Sequence, residues 1–265
     1  MSSSDGVPHE PPGSVLVTGG GSGIGAELAT QLAGRGCRVV VTGRRSDALD
    51  ATCAGSDRIT PVVGDVTDAT HRAEALVALA ACPSPRSVVH SAGHFELGLL
   101  ASLDVEDWRR SFQVNVEARW LLSRDAAPLL GGGRMLFLGS DAGANPRAGA
   151  AAYSIAQSAS ETLRRALQAE WADTGVAVSA FRPGLVDTPM VRGFLARPVE
   201  EFPARAAYDE YVDAGRVARA RDVARFATWL LLDVEVERFV ATEWDVRDAE
   251  HHHEWADRPL YPDAR

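Results

Sequence analysis

The run "SVLVTGGGSGIGAELATQLAG", residues 14–34, changes character twice within a short span. "SVLVT" (14–18) is β-branched and apolar without alternation, the pattern of a strand covered on both faces. Ile24–Gly34 reads as a helix, and across the junction Gly19, Gly23 and Gly25 fall in the spacing G-x-x-x-G-x-G, with Ser22 among them. In a strand–turn–helix setting each glycine has a task. Gly19 lets the turn tighten, Gly23 lets backbone N–H groups approach a pyrophosphate, and Gly25 lets the helix pack closely on the strand. Ser22 and Ile24 complete the cradle, and the helix N-terminus turns its partial positive charge to the phosphates.

The same alternation continues outward. "RVVVT" (38–42), "ITPVV" (59–63), "SVVH" (87–90), "RMLFLG" (134–139) and "VAVSAF" (176–181) read as further buried strands, with another near Arg238–Trp244. Helical stretches fall at Ser46–Cys53, Ala69–Ala81, Val105–Leu130 (two helices) and Ala152–Ala172. Parallel strands joined by helical crossovers place helices on both faces. The expected fold is α/β, a single Rossmann-type doubly wound parallel sheet of about seven strands. Residues 1–13 read as a flexible tail and 14–246 as the dinucleotide-binding and catalytic domain. Residues 189–215, with Phe194, Phe202, Tyr208 and Tyr211, read as a substrate lid or as a surface helix pair packing those rings inward. Residues 247–265, containing "HHH" (251–253), read as a solvated tail or a subunit contact, with no metal expected.

Composition narrows the function classes. The 265 residues are 46% hydrophobic and 24% charged, which suits a globular chain with an extensive core. A net charge of −9 with no basic block argues against nucleic acid or an anionic membrane as partner. The three cysteines have no metal-ligand spacing, and no leader or spanning apolar run is seen, so a cytoplasmic protein is expected. All 27 basic residues are arginine.

The glycine spacing, with Thr18 in front, resembles the short-chain dehydrogenase/reductase family, and the resemblance runs from about residue 14 to 245. It implies a nicotinamide cofactor. "GDV" (64–66) implies Asp65 near the adenine amine and Val66 against its ring. "HSAG" (90–93) puts Ala92 and Gly93 along the cofactor, and "VNV" supplies Asn115 to hold a helix bend and a water. "FRPGLVDTPM" (181–190) resembles the segment with Pro183 and Gly184 that bonds the nicotinamide carboxamide, through Val186 and Thr188. The family also implies a homodimer or homotetramer acting on a small molecule.

At the end of the second strand, where an acid would select NAD, the chain reads Gly43-Arg44-Arg45. An arginine pair suits a 2′-phosphate, so NADP(H) is preferred; Asp47 keeps NAD(H) open. Ser140 and Tyr153, thirteen residues apart, match the family's catalytic serine and tyrosine. The serine fixes the substrate oxygen and the tyrosine exchanges a proton with it. In the family a lysine one turn later binds the nicotinamide ribose and stabilises tyrosinate; here Gln157 stands in its place. Its amide can still bond ribose hydroxyls but brings no charge. Without a neighbouring cation the phenol forgoes a lowering of roughly 1–3 pH units and keeps its proton, unless an arginine such as Arg147 or Arg182 reaches in. The expectation is therefore reduction of an apolar or aromatic carbonyl with Tyr153 as proton donor. The alternatives are redox-neutral chemistry (isomerisation, elimination, cyclisation) or a non-catalytic NADPH-binding regulator. His94 is either packed or at the substrate.

Overall fold

A computed structural model describes residues 13–261. The expected N-terminal tail lies outside them apart from Gly13. Strands β1 (Ser14–Thr18), β2 (Arg38–Gly43), β3 (Ile59–Val63), β4 (Arg86–His90), β5 (Arg134–Leu138) and β6 (Ala177–Arg182) match the predicted runs to within a residue. With β9 (Trp244–Asp245) they form one parallel seven-stranded sheet in the order β3-β2-β1-β4-β5-β6-β9. A two-residue ladder, β7 (Val186–Asp187) with β8 (Ala218–Arg219), stands apart. The strand order reverses between β1 and β4, which opens a crevice at the carboxyl ends of the strands.

Alternate residues of each strand feed two cores. Val15 and Val17, with Val39 and Val41, pack under α1 (Gly23–Gly34), α2 (Ser46–Cys53) and α9 (Ala220–Leu232). Leu16, Val40, Val88, Met135 and Val178 face the other way, under α3 (Ala69–Ala80), α5 (Ala118–Ala126) and α6 (Ala151–Glu170). Continuous apolar strands are what a sheet covered on both sides demands.

Two expectations need correction. The strand sought at Arg238–Trp244 is mostly α10 (Val236–Ala241), and only Trp244–Asp245 joins the sheet. Beyond it, residues 247–261 are not a solvated tail. Trp255 and Leu260 are buried in the first core, with Trp255 edge-on to Phe226, through a 3-10 turn and α11 (His252–Trp255). The adjacent histidines serve different neighbours: His251 lies against Trp244, and His252 bonds the Val246 carbonyl at 2.9 Å.

The predicted pair of helices before β5 is α4 (Val105–Phe112) and α5, joined by a π-helical turn over Gln113–Glu117. Asn115 sits in that one wide turn and is fully buried. The segment proposed as a lid forms α7 (Pro189–Leu195) and α8 (Arg205–Asp213).

Candidate active site

Gly19 has φ +70°, and a Cβ there would stand 2.9 Å from the Ala92 Cα, so only glycine lets this turn approach the one after β4. A Cβ on Gly25 would meet the Gly19 carbonyl oxygen at 2.5 Å, which is why α1 can start so close to β1. Thr18 locks the two turns together, its Oγ1 accepting from Ser91 N–H at 3.1 Å and Ala92 N–H at 3.0 Å.

Above these turns lies a cavity of about 390 Å³ at the carboxyl edge of the sheet. Its wall gathers Gly19, Ser22, Gly23, Ile24, Arg44, Arg45, Asp65, Val66, Ala92, Gly93, Ser140, Tyr153, Gln157, Pro183, Gly184, Val186 and Thr188. Two of the residues singled out from sequence lie just behind it. Gly25 is buried under the turn, and Asn115 is fully buried beneath the loop after β4. Asn115 clamps that loop: its Oδ1 accepts from His94 N–H at 3.0 Å and its Nδ2 donates to the His94 carbonyl at 2.8 Å.

Asp65 accepts hydrogen bonds from Thr67 and pairs with Arg110, whose Nη2 stands 2.5 Å from Oδ2; despite burial, its carboxyl is held down to about 2. Arg44 and Arg45 are exposed at the rim, and neither is paired with a carboxylate among the described residues. Thr188 caps α7 by accepting from Val191 N–H at 3.3 Å.

Ser140 follows β5 and Tyr153 opens α6. The Ser140 hydroxyl accepts from Ala142 N–H at 3.2 Å and, in the same stretch of cavity wall, acts on the Tyr153 phenol. Burial pushes the Tyr153 phenol above the usual tyrosine range, outweighing the pull of Ser140 and of a nearby positive charge. That charge comes from neither arginine anticipated. Arg182 turns to Asp245 at 3.2 Å, and Arg147 stacks over Tyr208 at 4.7 Å. It belongs to Arg119 of α5, 4% exposed, which lines the same cavity. The available signal was a lone charge four residues after Asn115, on the inward side of the helix.

Other wall residues also went unread. Phe95 packs on Tyr153 at 4.7 Å between centroids and on Phe194 at 4.8 Å. Arg247 bridges Asp245 and Asp141, closing the wall from the C-terminal strand. Phe194, Tyr208 and Tyr211 of the two-helix segment face the cavity, while Phe202 is buried behind them. His94 is half-buried, its charge disfavoured by burial, with Glu96 3.5 Å away. The arrangement can take an elongated polyanion along the glycine turn and offer a hydroxyl pair to a small molecule beneath aromatic rings.

A family model described as short chain dehydrogenase matches residues 14–197. Galactitol 2-dehydrogenase (L-tagatose-forming) of Cereibacter sphaeroides is 36% identical over 225 residues, 81% of this chain and 85% of its own. The 2-keto-3-deoxy-L-fuconate dehydrogenase of Xanthomonas campestris pv. campestris is 31% identical over 224 residues, 82% of this chain and 73% of its own. A crystal structure of an actinorhodin polyketide ketoreductase variant with NADPH superposes with a TM-score of 0.77 at 27% identity, covering 88% of this chain and 95% of that one. The family model spans the glycine turn, the first six strands of the sheet and both Ser140 and Tyr153, and the chain belongs to the short-chain dehydrogenase family.

Proposed function

We propose that the protein is an NADP(H)-dependent reductase of small carbonyl compounds, with Tyr153 as proton donor. The observation that carries this reading is a half-buried phenol, set with Ser140 in the cavity wall, whose desolvation favours the protonated form. Near neutrality such a group is almost wholly in the form that can protonate an incipient alkoxide, and its phenolate is too scarce to serve as a base.

The residues fit a nicotinamide dinucleotide. The Gly19 turn leaves a cradle that a side chain would fill, and Gln157 keeps its buried Oε1 without a partner, free for a ribose hydroxyl. Arg44 and Arg45 would hold the 2′-phosphate, Asp65 and Val66 the adenine, and Pro183, Gly184, Val186 and Thr188 the carboxamide end. The preference for NADP(H) is supported by the uncompensated arginine pair at the end of β2, and an NADPH-bearing neighbour is consistent with it. When bound, the nicotinamide supplies the hydride. The chain's own part is to hold and protonate. Ser140 donates to the substrate oxygen, and Tyr153 passes its proton to that oxygen as the carbonyl π electrons move onto it. The phenolate left behind recovers a proton from solvent.

Phe95, Phe194, Tyr208 and Tyr211 favour an apolar or aromatic substrate, and the α7–α8 segment is read as its lid. A polyhydroxylated substrate is the second reading, favoured by the names of the two dehydrogenase relatives and by His94 and Arg147 in the wall. Exposed Val105, Trp120 and Ile155 on α4, α5 and α6 support a homo-oligomer through those helices. No helix among the described residues is long and apolar enough to cross a membrane.

Purified protein supplied with NADPH and activated ketones, diketones and ketoses tests the reading. Oxidation of NADPH is expected, lost by about 100-fold or more in Tyr153→Phe with NADPH binding retained. Turnover without net change in reduced cofactor, or full activity in Tyr153→Phe, would defeat it.

A further inference from the structure

Two residues of the cavity wall each keep a buried polar atom without a partner, and the two atoms are of opposite sense. Gln157 Oε1 is an acceptor, and Arg119 Nε–H is a donor. The rest of the Arg119 guanidinium is held by neutral groups only. Nη1 donates to the Leu138 carbonyl at 3.0 Å and to Ser160 Oγ at 3.0 Å, and Nη2 donates to the Ala92 carbonyl at 3.2 Å. Leu138 ends β5 and Ala92 follows β4, so the side chain threads between two strand ends into the crevice.

No carboxylate among the described residues pairs with it. Burial pulls its pKa down to about 10, which still leaves it charged at neutral pH, and its charge and Tyr153 act on each other. A buried cation without a counter-ion is costly unless something else exploits its field. The other charged groups around Tyr153 are already engaged. Arg147 lies over Tyr208, Arg247 is neutralised by Asp141 and Asp245, and burial disfavours the charge of His94.

We propose that Arg119 and Gln157 divide the work that the family gives to one lysine: Arg119 supplies the positive charge beside Tyr153, and both bind a ribose hydroxyl, Nε–H donating to it and Oε1 accepting from it. The charge thus comes from α5, across the crevice, and the position one turn after the tyrosine stays neutral. A lysine at 157 would set a second cation beside a buried first one, which explains why an arginine-rich chain carries an uncharged residue there. The inference rests on the reading of the cavity as a dinucleotide site.

The test compares full-length wild type, Arg119→Met, Arg119→Gln and the double variant Arg119→Met/Gln157→Lys, all free of cofactor. Tyr153 ionisation is read as tyrosinate absorbance after a stopped-flow pH jump, with Tyr153→Phe subtracting the remaining tyrosines. Calorimetry gives affinities for NADP+ and for adenosine 2′,5′-bisphosphate, which lacks the nicotinamide ribose. Arg119→Met should raise the Tyr153 midpoint by about 1 pH unit or more. It should weaken NADP+ about tenfold and leave the bisphosphate unchanged. The double variant should recover both losses. Arg119→Gln keeps donors for the Leu138 and Ala92 carbonyls without the charge, and serves if Arg119→Met does not fold. An unmoved midpoint in a folded uncharged variant would overturn the proposal. So would equal weakening of both ligands, or failure of the double variant to recover, because Arg119 would then be only a brace for α5. A wild type that binds NADP+ but reduces no carbonyl removes the proposed function and leaves this division intact; a reductase whose Tyr153 ignores Arg119 does the reverse.

Discussion

Raising the pH of an alcohol-oxidation assay from ~7 to ~10 should increase the rate by about a thousandfold. Oxidation requires the Tyr153 phenolate to accept the hydroxyl proton. Burial sets this phenol above the ordinary tyrosine range, and Ser140 and Arg119 only partly offset it. An ordinary tyrosine, titrating near pH ~10, carries the phenolate in about 1 molecule in 1,000 at neutrality, and a phenol raised above that range carries it in fewer. The ionised fraction, and the rate with it, grows about tenfold per pH unit until the midpoint is reached. Carbonyl reduction uses the phenol and should stay level over the same interval. The assay is initial-rate oxidation of a secondary alcohol at saturating NADP+, with Tyr153→Phe giving the background from hydroxide. Short assays are needed at the alkaline end. A phenol whose folded-state pKa is raised contributes stability that is fully present below the unfolded value and is lost as pH rises through the folded one. Equal oxidation at the two ends, or a plateau well below pH ~9, would refute the reasoning.

Three further outcomes are expected. Asn115→Ala removes both bonds to the His94 backbone and leaves a buried N–H and C=O unpaired, so urea unfolding should show a loss of about 2–4 kcal/mol; wild-type stability would mean the loop after β4 holds its shape unaided. Replacing Arg44 or Arg45 by serine should weaken NADPH about tenfold and NADH hardly at all, as measured by fluorescence titration; equal losses for both cofactors would remove the 2′-phosphate assignment. Trp255→Ala should cost about 3–5 kcal/mol, since this ring is buried against Phe226; an unchanged melting temperature would return residues 247–261 to the status of a tail.

The parts legible in the sequence were those where backbone constraint or burial on both faces leaves a mark. Gly19 and Gly25 have no alternative residue at their contacts, and Val39–Val41 cannot be anything but a doubly covered strand. Ser140 and Tyr153 were readable because one strand end and one helix start fix their separation. Arg119 was legible only as a charge on the inward side of a helix; its approach to Tyr153 depends on the π-helical turn and on how α5 crosses the ends of β4 and β5, and neither leaves a local pattern. The C-terminal segment misled for a different reason. Its anchors, Trp255 and Leu260, are sparse among histidines and charges, so polarity concealed the packing. Residues 236–241 combine β-branched and aromatic types that suit a strand, yet they form a helix that buries Phe239, and only Trp244 and Asp245 pair with β6.

Arg247 grips Asp141, the neighbour of Ser140, while Trp255 and Leu260 pin the same stretch of chain into the first core. The last described residues are therefore a tether on the proposed proton-handling turn. Trimming them, or loading them with a bulky purification tag, should be felt at Ser140 before it is felt at the glycine turn: turnover would fall while dinucleotide affinity held.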